Sequence, residues 1–246
     1  MKNILIIGAT SGIAIACARL WSSQPCRLFL IGRDPSKLAQ VGADLASRGA
    51  VVAGHYALDL VDMEQHSAAI GAAQEAFGVP DLVLIAHGTL PDQQACEADA
   101  ARSVREFTAN GLSVISLLTL LAKPMTDRGQ GTIVVLSSVA GDRGRPSNYL
   151  YGSAKAAVSA FCEGMQARLF RSGVHVLLVK PGFVATPMTA GLGLPPALTS
   201  SPERVARDIQ RAIEKKTNVL YTAWFWRYIM LIIRHIPTGV FKKLKL

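Results

Sequence analysis

The chain has 246 residues, half of them apolar and only 17% charged, enough for one large domain or two small ones and too apolar for global disorder. Its net charge of +9 sits mostly at one end: from Lys215 onward Lys215, Lys216, Arg227, Arg234, Lys242, Lys243 and Lys245 face no acid, so the body is nearly neutral and no nucleic-acid partner is expected. The four cysteines, Cys17, Cys26, Cys96 and Cys162, are widely spaced with no CxxC pair and no metal-ligand grouping, as suits reduced thiols in a cytoplasmic protein without a metal.

Taken in order, apolar strand-like runs alternate with helical patterns. Met1-Lys2-Asn3 leads straight into a strand over 4–7, with no signal-peptide pattern. A helix over 13–22, a strand over 27–31, a helix over 36–47, a strand over 51–56 and a helix over 63–77 follow. Next come a strand over 82–86, one or two helices over 95–123, a strand over 133–137, a helix over 149–170 and a strand over 174–179. Strict βαβ alternation with short links predicts an α/β fold: a single doubly wound parallel sheet of Rossmann type with helices on both faces. One domain is expected over 1–222, followed by a basic, aromatic-rich tail over 223–246.

In such sheets ligands bind beyond the carboxyl ends of the strands. After the first strand stands Gly8-Ala9-Thr10-Ser11-Gly12-Ile13-Ala14. Gly8 permits a tight turn, and Gly12 lets the backbone approach a pyrophosphate that the helix N-terminus favours. The second strand ends Gly32-Arg33, where an NAD site usually carries an acid for the ribose hydroxyls. Gly32 offers no carboxylate and Arg33 can pair with a 2′-phosphate, so NADP(H) is expected over NAD(H). Asp34 reads as the N-cap of the Pro35-Ser36-Lys37 helix. Asp59 and Leu60 follow the third strand and can meet the adenine edge. Ala86-His87-Gly88 follow the fourth as a small-residue turn against the cofactor, with no partner visible for His87.

The stretch from Ser138 to Lys155 carries the chemistry. Tyr151 and Lys155 at i, i+4 lie on one helical face. A phenol titrates near pH ~10, and a cation one turn away is expected to pull that value down. Ser138, at the end of the preceding strand, can bond the same substrate oxygen. Ser137 and Ser153 read as structural.

These residues resemble the short-chain dehydrogenases/reductases over about 2–213. Gly8-x-x-x-Gly12-x-Ala14 is similar to that family's TGxxxGxG loop, Ala86-His87-Gly88 to its NNAG turn, and Pro181-Gly182-Phe183-Val184-Ala185-Thr186 to its PGxVxT segment beside the nicotinamide. Ile7 stands for Thr, Ala14 for the third Gly, and Ile85, Ala86 and His87 for Asn-Asn-Ala. The resemblance implies a catalytic set of Asn110, Ser138, Tyr151 and Lys155. Tyr151 would exchange the proton during hydride transfer between the nicotinamide and a carbonyl or secondary alcohol. Lys155 would hold the ribose, Ser138 orient the carbonyl, and Asn110 hold a proton-relay water. It also implies dinucleotide contacts at Pro181, Gly182, Val184 and Thr186, and a homo-oligomer. A non-catalytic dinucleotide-binding sensor or scaffold of the same fold is the alternative.

The loop over 187–200 is rich in Gly, Pro and Leu and suggests an apolar substrate portion. After a last strand at Val219-Leu220-Tyr221 comes the tail, with Trp224-Phe225-Trp226, an apolar run over 229–233, and a basic end. It is too short and interrupted to span a bilayer. Its composition fits a helix at an anionic membrane surface, at the inner face of the membrane, and equally a helix packed on a sister subunit. The tail resembles that of reductases acting on decaprenylphosphoryl 2-keto-pentose in mycobacterial arabinan synthesis, which implies a lipid-linked keto-sugar substrate.

Overall fold

The computed structural model describes residues 1–244; Lys245 and Leu246 of the basic tail lie outside the described residues. Strand β1 (Lys2–Ile7) runs into helix α1 (Gly12–Trp21), followed by β2 (Cys26–Gly32), α2 (Pro35–Ser47), β3 (Val51–Ala57), α3 (His66–Phe77) and β4 (Leu82–Ile85). Then come α4 (Gln93–Glu97), α5 (Ala100–Phe107), α6 (Ser113–Arg128), β5 (Gly131–Leu136), α7 (Tyr149–Leu169) and β6 (Val174–Pro181). Short strands β7 (Phe183–Val184) and β8 (Thr199–Ser200) flank the loop ahead of α8 (Pro202–Glu214), β9 (Val219–Thr222), α9 (Trp226–His235) and α10 (Thr238–Phe241). Seven strands form one sheet in the order β3-β2-β1-β4-β5-β6-β9, and every neighbouring pair is parallel.

The period of two along each strand divides the core. Ile4 and Ile6 of β1 face a layer built with α1, α2 and α8, and Leu5 and Ile7 face the opposite layer with α3, α6 and α7. Because both faces are covered, the strands read as continuous apolar runs rather than alternating ones. Leu5, Ile6, Ile7, Val83, Leu84, Val134 and Val135 are all fully buried. The helical run 100–128 is long and apolar enough to cross a bilayer, but its apolar stripe, Val114, Leu117, Leu118, Leu121 and Met125, is buried in this core.

The one long helical expectation that changes form lies over 95–123. It divides into α4, α5 and α6, with Asp92 capping α4 and Asp99 capping α5, and with a π-helical turn at Thr108–Leu112. Asp34 accepts from the backbone N–H groups of Ser36 and Lys37 as N-cap of α2. The four cysteines are free and buried.

Candidate active site

A cleft of about 680 Å³ opens along the carboxyl ends of β1, β2, β4, β5 and β6, where the strand order reverses about β1. At its first corner the N–H groups of Gly8 and Ala9 both donate to Ile31 O, at 2.8 and 3.0 Å. Gly8 has φ +79° and lies so near the β4 turn that a Cβ would sit 2.5 Å from His87 N. Its glycine is therefore required by the packing of two turns as well as by its own conformation. Ser11 caps α1 by accepting from Ala14 N at 3.2 Å. A Cβ on Gly12 would press on Thr186 Cγ2 at 3.1 Å. Thr10, Ser11, Gly12, Ile13, Arg33, Asp59, Leu60, Ala86, His87, Gly88, Pro181, Gly182, Val184 and Thr186 all line this one cleft with Gly8.

Lys37 joins Arg33 at the β2 end of the cleft. Asp34, the nearest acid, is committed to capping α2. Asp59 Oδ1 accepts from Val61 N at 3.2 Å, and Arg105 lies 3.8 Å from Oδ2. These residues fit a dinucleotide. The first N–H groups of α1 have no intrahelical partner and open beside Gly12. A further cation, Lys155, stands at the far end with donors left over.

At that far end burial pushes the Tyr151 phenol up to about 12, while the neighbouring Ser138 side chain favours the phenolate. Lys155 is 3% exposed and donates to Leu136 O at 3.2 Å. Its Nζ is 5.7 Å from the Tyr151 ring centroid. The expected lowering of the Tyr151 pKa by Lys155 is not found. Burial dominates the phenol, and burial also lowers the ammonium to about 8.

Asn110 lies in the π turn, fully buried, behind the cleft wall rather than on it. Its Oδ1 accepts from Thr89 N at 2.9 Å, and its Nδ2 donates to Thr89 Oγ1 and Glu106 O at 2.8 and 3.0 Å. Gly88 joins it to Lys155: a Cβ there would meet Asn110 Oδ1 at 2.8 Å and Lys155 Nζ at 3.4 Å. His87 does have a partner, Ser113 Oγ at 2.8 Å. Since that hydroxyl donates to Ala109 O, His87 Nε2 carries the proton. Burial and the nearby Lys155 lower its pKa to about 3, so the ring is neutral. Ser137 bonds Lys155 O and Ser159, and Ser153 bonds Tyr149 O.

Three groups beside the site escaped the sequence reading. Arg145 and Asn148, on the β5–α7 connection, line the cleft. Neither belongs to a local motif, so no signal marked them. The third is the inner face of α9. Trp226 and Met230 are buried against Val139, with Phe183, Leu198, Tyr221, Ile229 and Ile233 around them. The Phe183 and Trp226 rings meet edge to face at 5.3 Å, and a Cβ on Gly182 would collide with the Trp226 indole. Arg143 closes the far end of α9, donating to Ile233 O, Arg234 O and Ile236 O at 2.6, 3.0 and 2.7 Å. The same turn supplies Asp142, which pairs with Lys180 at 2.7 Å and accepts from Tyr221 at 2.8 Å. One stripe of the tail helix, spaced 226, 229, 230, 233, thus belongs to the chain's own body. The opposite stripe, with Tyr228, Leu231 and Ile232, stays exposed beside Trp224.

Residues 2–195 match the family model described as short chain dehydrogenase. An uncharacterized oxidoreductase of Mycobacterium tuberculosis is 34% identical over 241 residues, 98% of this chain and 96% of that one. The ketoacyl reductase HetN of Nostoc is 30% identical over 221 residues, 88% of this chain and 76% of that one. A solved short chain dehydrogenase/reductase family protein has a TM-score of 0.76 at 27% identity, covering 89% of this chain and 94% of that chain. The actinorhodin polyketide ketoreductase, solved with NADPH, shares the fold with a TM-score of 0.81 at 22% identity over 92% of this chain and 97% of that one. The chain therefore belongs to the short-chain dehydrogenase/reductase family of NAD(P)-dependent oxidoreductases.

Proposed function

We propose that the protein is an NADP(H)-dependent carbonyl reductase whose substrate has a large apolar, lipid-linked part. The observation that carries this reading is the gathering of Ser138, Tyr151 and buried Lys155 at one end of a cleft whose other end offers Arg33 and Lys37. When bound, the nicotinamide supplies the hydride to the carbonyl carbon or takes it back. Tyr151 Oη gives its proton to the carbonyl oxygen, so that a ketone becomes a secondary alcohol. Ser138 Oγ donates to the same oxygen and fixes its position. The phenolate left behind is stabilised by the Lys155 ammonium and recovers its proton through it. With its resting pKa pushed up by burial, Tyr151 is a neutral acid at physiological pH, the state that reduction requires. Asn110 anchors the Gly88-Thr89 backbone against which Lys155 rests. A sensor using the same fold has no need of a buried proton donor.

Leu90, Val139, Phe183, Met188 and Leu192 give the substrate half of the cleft an apolar wall. The exposed outer stripe of α9 and cations Arg227, Arg234, Lys242 and Lys243 suit an anionic membrane surface, and support a cytoplasmic enzyme held at the inner face of a membrane where a polyprenyl-phosphate keto-sugar would be met. The test of the chemistry is Tyr151→Phe, which conserves ring volume and removes the proton. Turnover should fall by at least about 10²-fold while dinucleotide affinity stays within a factor of about two. A variant that keeps parental rates on a ketone the parent reduces rules out this assignment.

A further inference from the structure

The β5–α7 connection holds buried polar atoms that the fold leaves without a partner among the described residues. Arg145 Nε and Asn148 Oδ1 are buried and have no hydrogen-bond partner among the described residues. One turn ties the two together, Asn148 N donating to Arg145 O at 3.1 Å. Asn148 O then accepts from Gly152 N at 2.9 Å, so the pair stands about one helical turn ahead of Tyr151. Asp142 is the acid whose charge favours the Arg145 guanidinium against burial. Its carboxylate is nevertheless engaged by Lys180 and Tyr221, and among the described residues Arg145 makes no ion pair.

Arg145 is also remote from the two cations at the β2 end of the cleft, Arg33 and Lys37. Arg33 and Lys37 follow β2, and β2 is three strands from β5 in the sheet, roughly 14 Å at the usual strand spacing. A half-buried guanidinium whose Nε is buried without an acceptor, in a cleft also lined by Leu90, Phe183, Met188 and Leu192, is a costly feature unless an anion completes it.

We propose that Arg145 and Asn148 form an anion subsite in the substrate half of the cleft. The substrate is then a carbonyl compound bearing a carboxylate or phosphate close to the carbonyl, joined to an apolar body. Arg145 Nε and its terminal nitrogens bind the anion, and Asn148 Oδ1 accepts from a hydroxyl or N–H beside it. This deepens the carbonyl-reductase reading and rests on it.

The test is equilibrium binding, which needs no turnover. Protein saturated with NADP⁺ is titrated calorimetrically with octanoate, octyl phosphate and uncharged octanamide. At least one anion should bind about tenfold or more tightly than octanamide, as charge-assisted hydrogen bonds in a desolvated site do. Octyl phosphate ahead of octanoate indicates a phosphorylated substrate, and the reverse order a carboxylate. Arg145→Met should abolish the preference with NADP⁺ affinity unchanged, and Arg145→Lys should keep part of it. Octanamide binding to the parent as tightly as both anions overturns the proposal, however well any variant folds, and so does a preference that survives in a folded Arg145→Met. Tyr151→Phe should retain the preference, so a failure of the proton-donor assignment leaves a different signature from a failure of the anion subsite.

Discussion

Asp142 is the residue on which several parts of the site converge, and its removal should be measurable far beyond its own contacts. The Asp142 and Lys180 side chains are 2% and 7% exposed, 2.7 Å apart, and the Tyr221 hydroxyl fills the second carboxylate oxygen at 2.8 Å. Asp142→Ala leaves an ammonium buried on β6 without a counter-charge and the Tyr221 hydroxyl without an acceptor. Breaking such a pair from one side costs ~3–5 kcal/mol. For a domain of this size each kcal/mol lowers Tm by about 2–4 °C, so the melt should fall by roughly 10 °C. Replacing both partners, as Asp142→Ala with Lys180→Met, should recover most of the loss, because the desolvation cost disappears along with the attraction. Urea unfolding of the parent, both single variants and the double variant gives the cycle. The turn carrying Asp142 begins at Ser138, so the single variant should also lose kcat while holding dinucleotide affinity. A loss below about 1 kcal/mol, or a double variant no more stable than the single, refutes the reasoning.

Stability of the ligand-free protein should carry the signature of Lys155. Its folded pKa of about 8 lies below the ordinary 10.5, so between these values the unfolded chain binds the extra proton and stability rises with pH; the penalty is full below pH 8. Measured as the difference between parent and Lys155→Met, in which the contributions of the buried thiols and Tyr151 cancel, the rise should approach ~1.4 kcal/mol per pH unit, and a flat difference refutes it. Arg33→Ala should weaken NADP⁺ by about tenfold and leave NAD⁺ unchanged; equal losses for both count against a 2′-phosphate contact. Trp224→Ser with Ile232→Ser, both on the exposed side of the tail, should abolish salt-sensitive co-sedimentation with anionic vesicles without lowering Tm. If the parent ignores such vesicles at low salt and the variant instead changes oligomeric mass, that face is a subunit contact.

Much of this architecture is local in the sequence, and for that reason it could be read there. β1, β2, β3 and β5 are expected within one or two residues of their bounds because a buried parallel strand needs an unbroken apolar run. The cleft residues Gly8, Gly12, Arg33, Ser138, Tyr151 and Lys155 follow from short motifs at strand ends, where a parallel sheet gathers its ligand contacts. What stayed hidden depends on pairs distant along the chain. His87 meets Ser113 across 26 residues, and Lys180 meets Asp142 across 38. The π turn that carries Asn110 has no compositional mark, since Thr108–Leu112 reads as ordinary helix. Lys155 also misled: i, i+4 spacing indicates a shared face, but it does not reveal that burial weighs more on the phenol than the neighbouring charge.

The tail shows how a periodicity can carry two meanings at once. Residues 226, 229, 230 and 233 repeat at helical spacing and meet Phe183, Leu198 and Val139; residues 224, 228, 231 and 232 form a second apolar set that stays exposed, with the Trp224 ring against those of Phe225 and Tyr228. Reading the tail only for hydrophobicity and charge merges the two sets into one amphipathic segment. Separating them changes what an experiment on it can mean. Ending the chain at Thr222 would strip Trp226 from Gly182, expose Phe183 and Tyr221, and leave Arg143 without its three carbonyl acceptors. Burial of the Trp226 and Met230 side chains alone contributes ~1.5–3 kcal/mol each, so a truncated protein would lose stability and a wall of its cleft together with any surface it docks on. Loss of vesicle binding in such a protein would therefore not distinguish a docking helix from a collapsed one. Substitutions confined to the outer set, with the inner set and Arg143 intact, make that distinction.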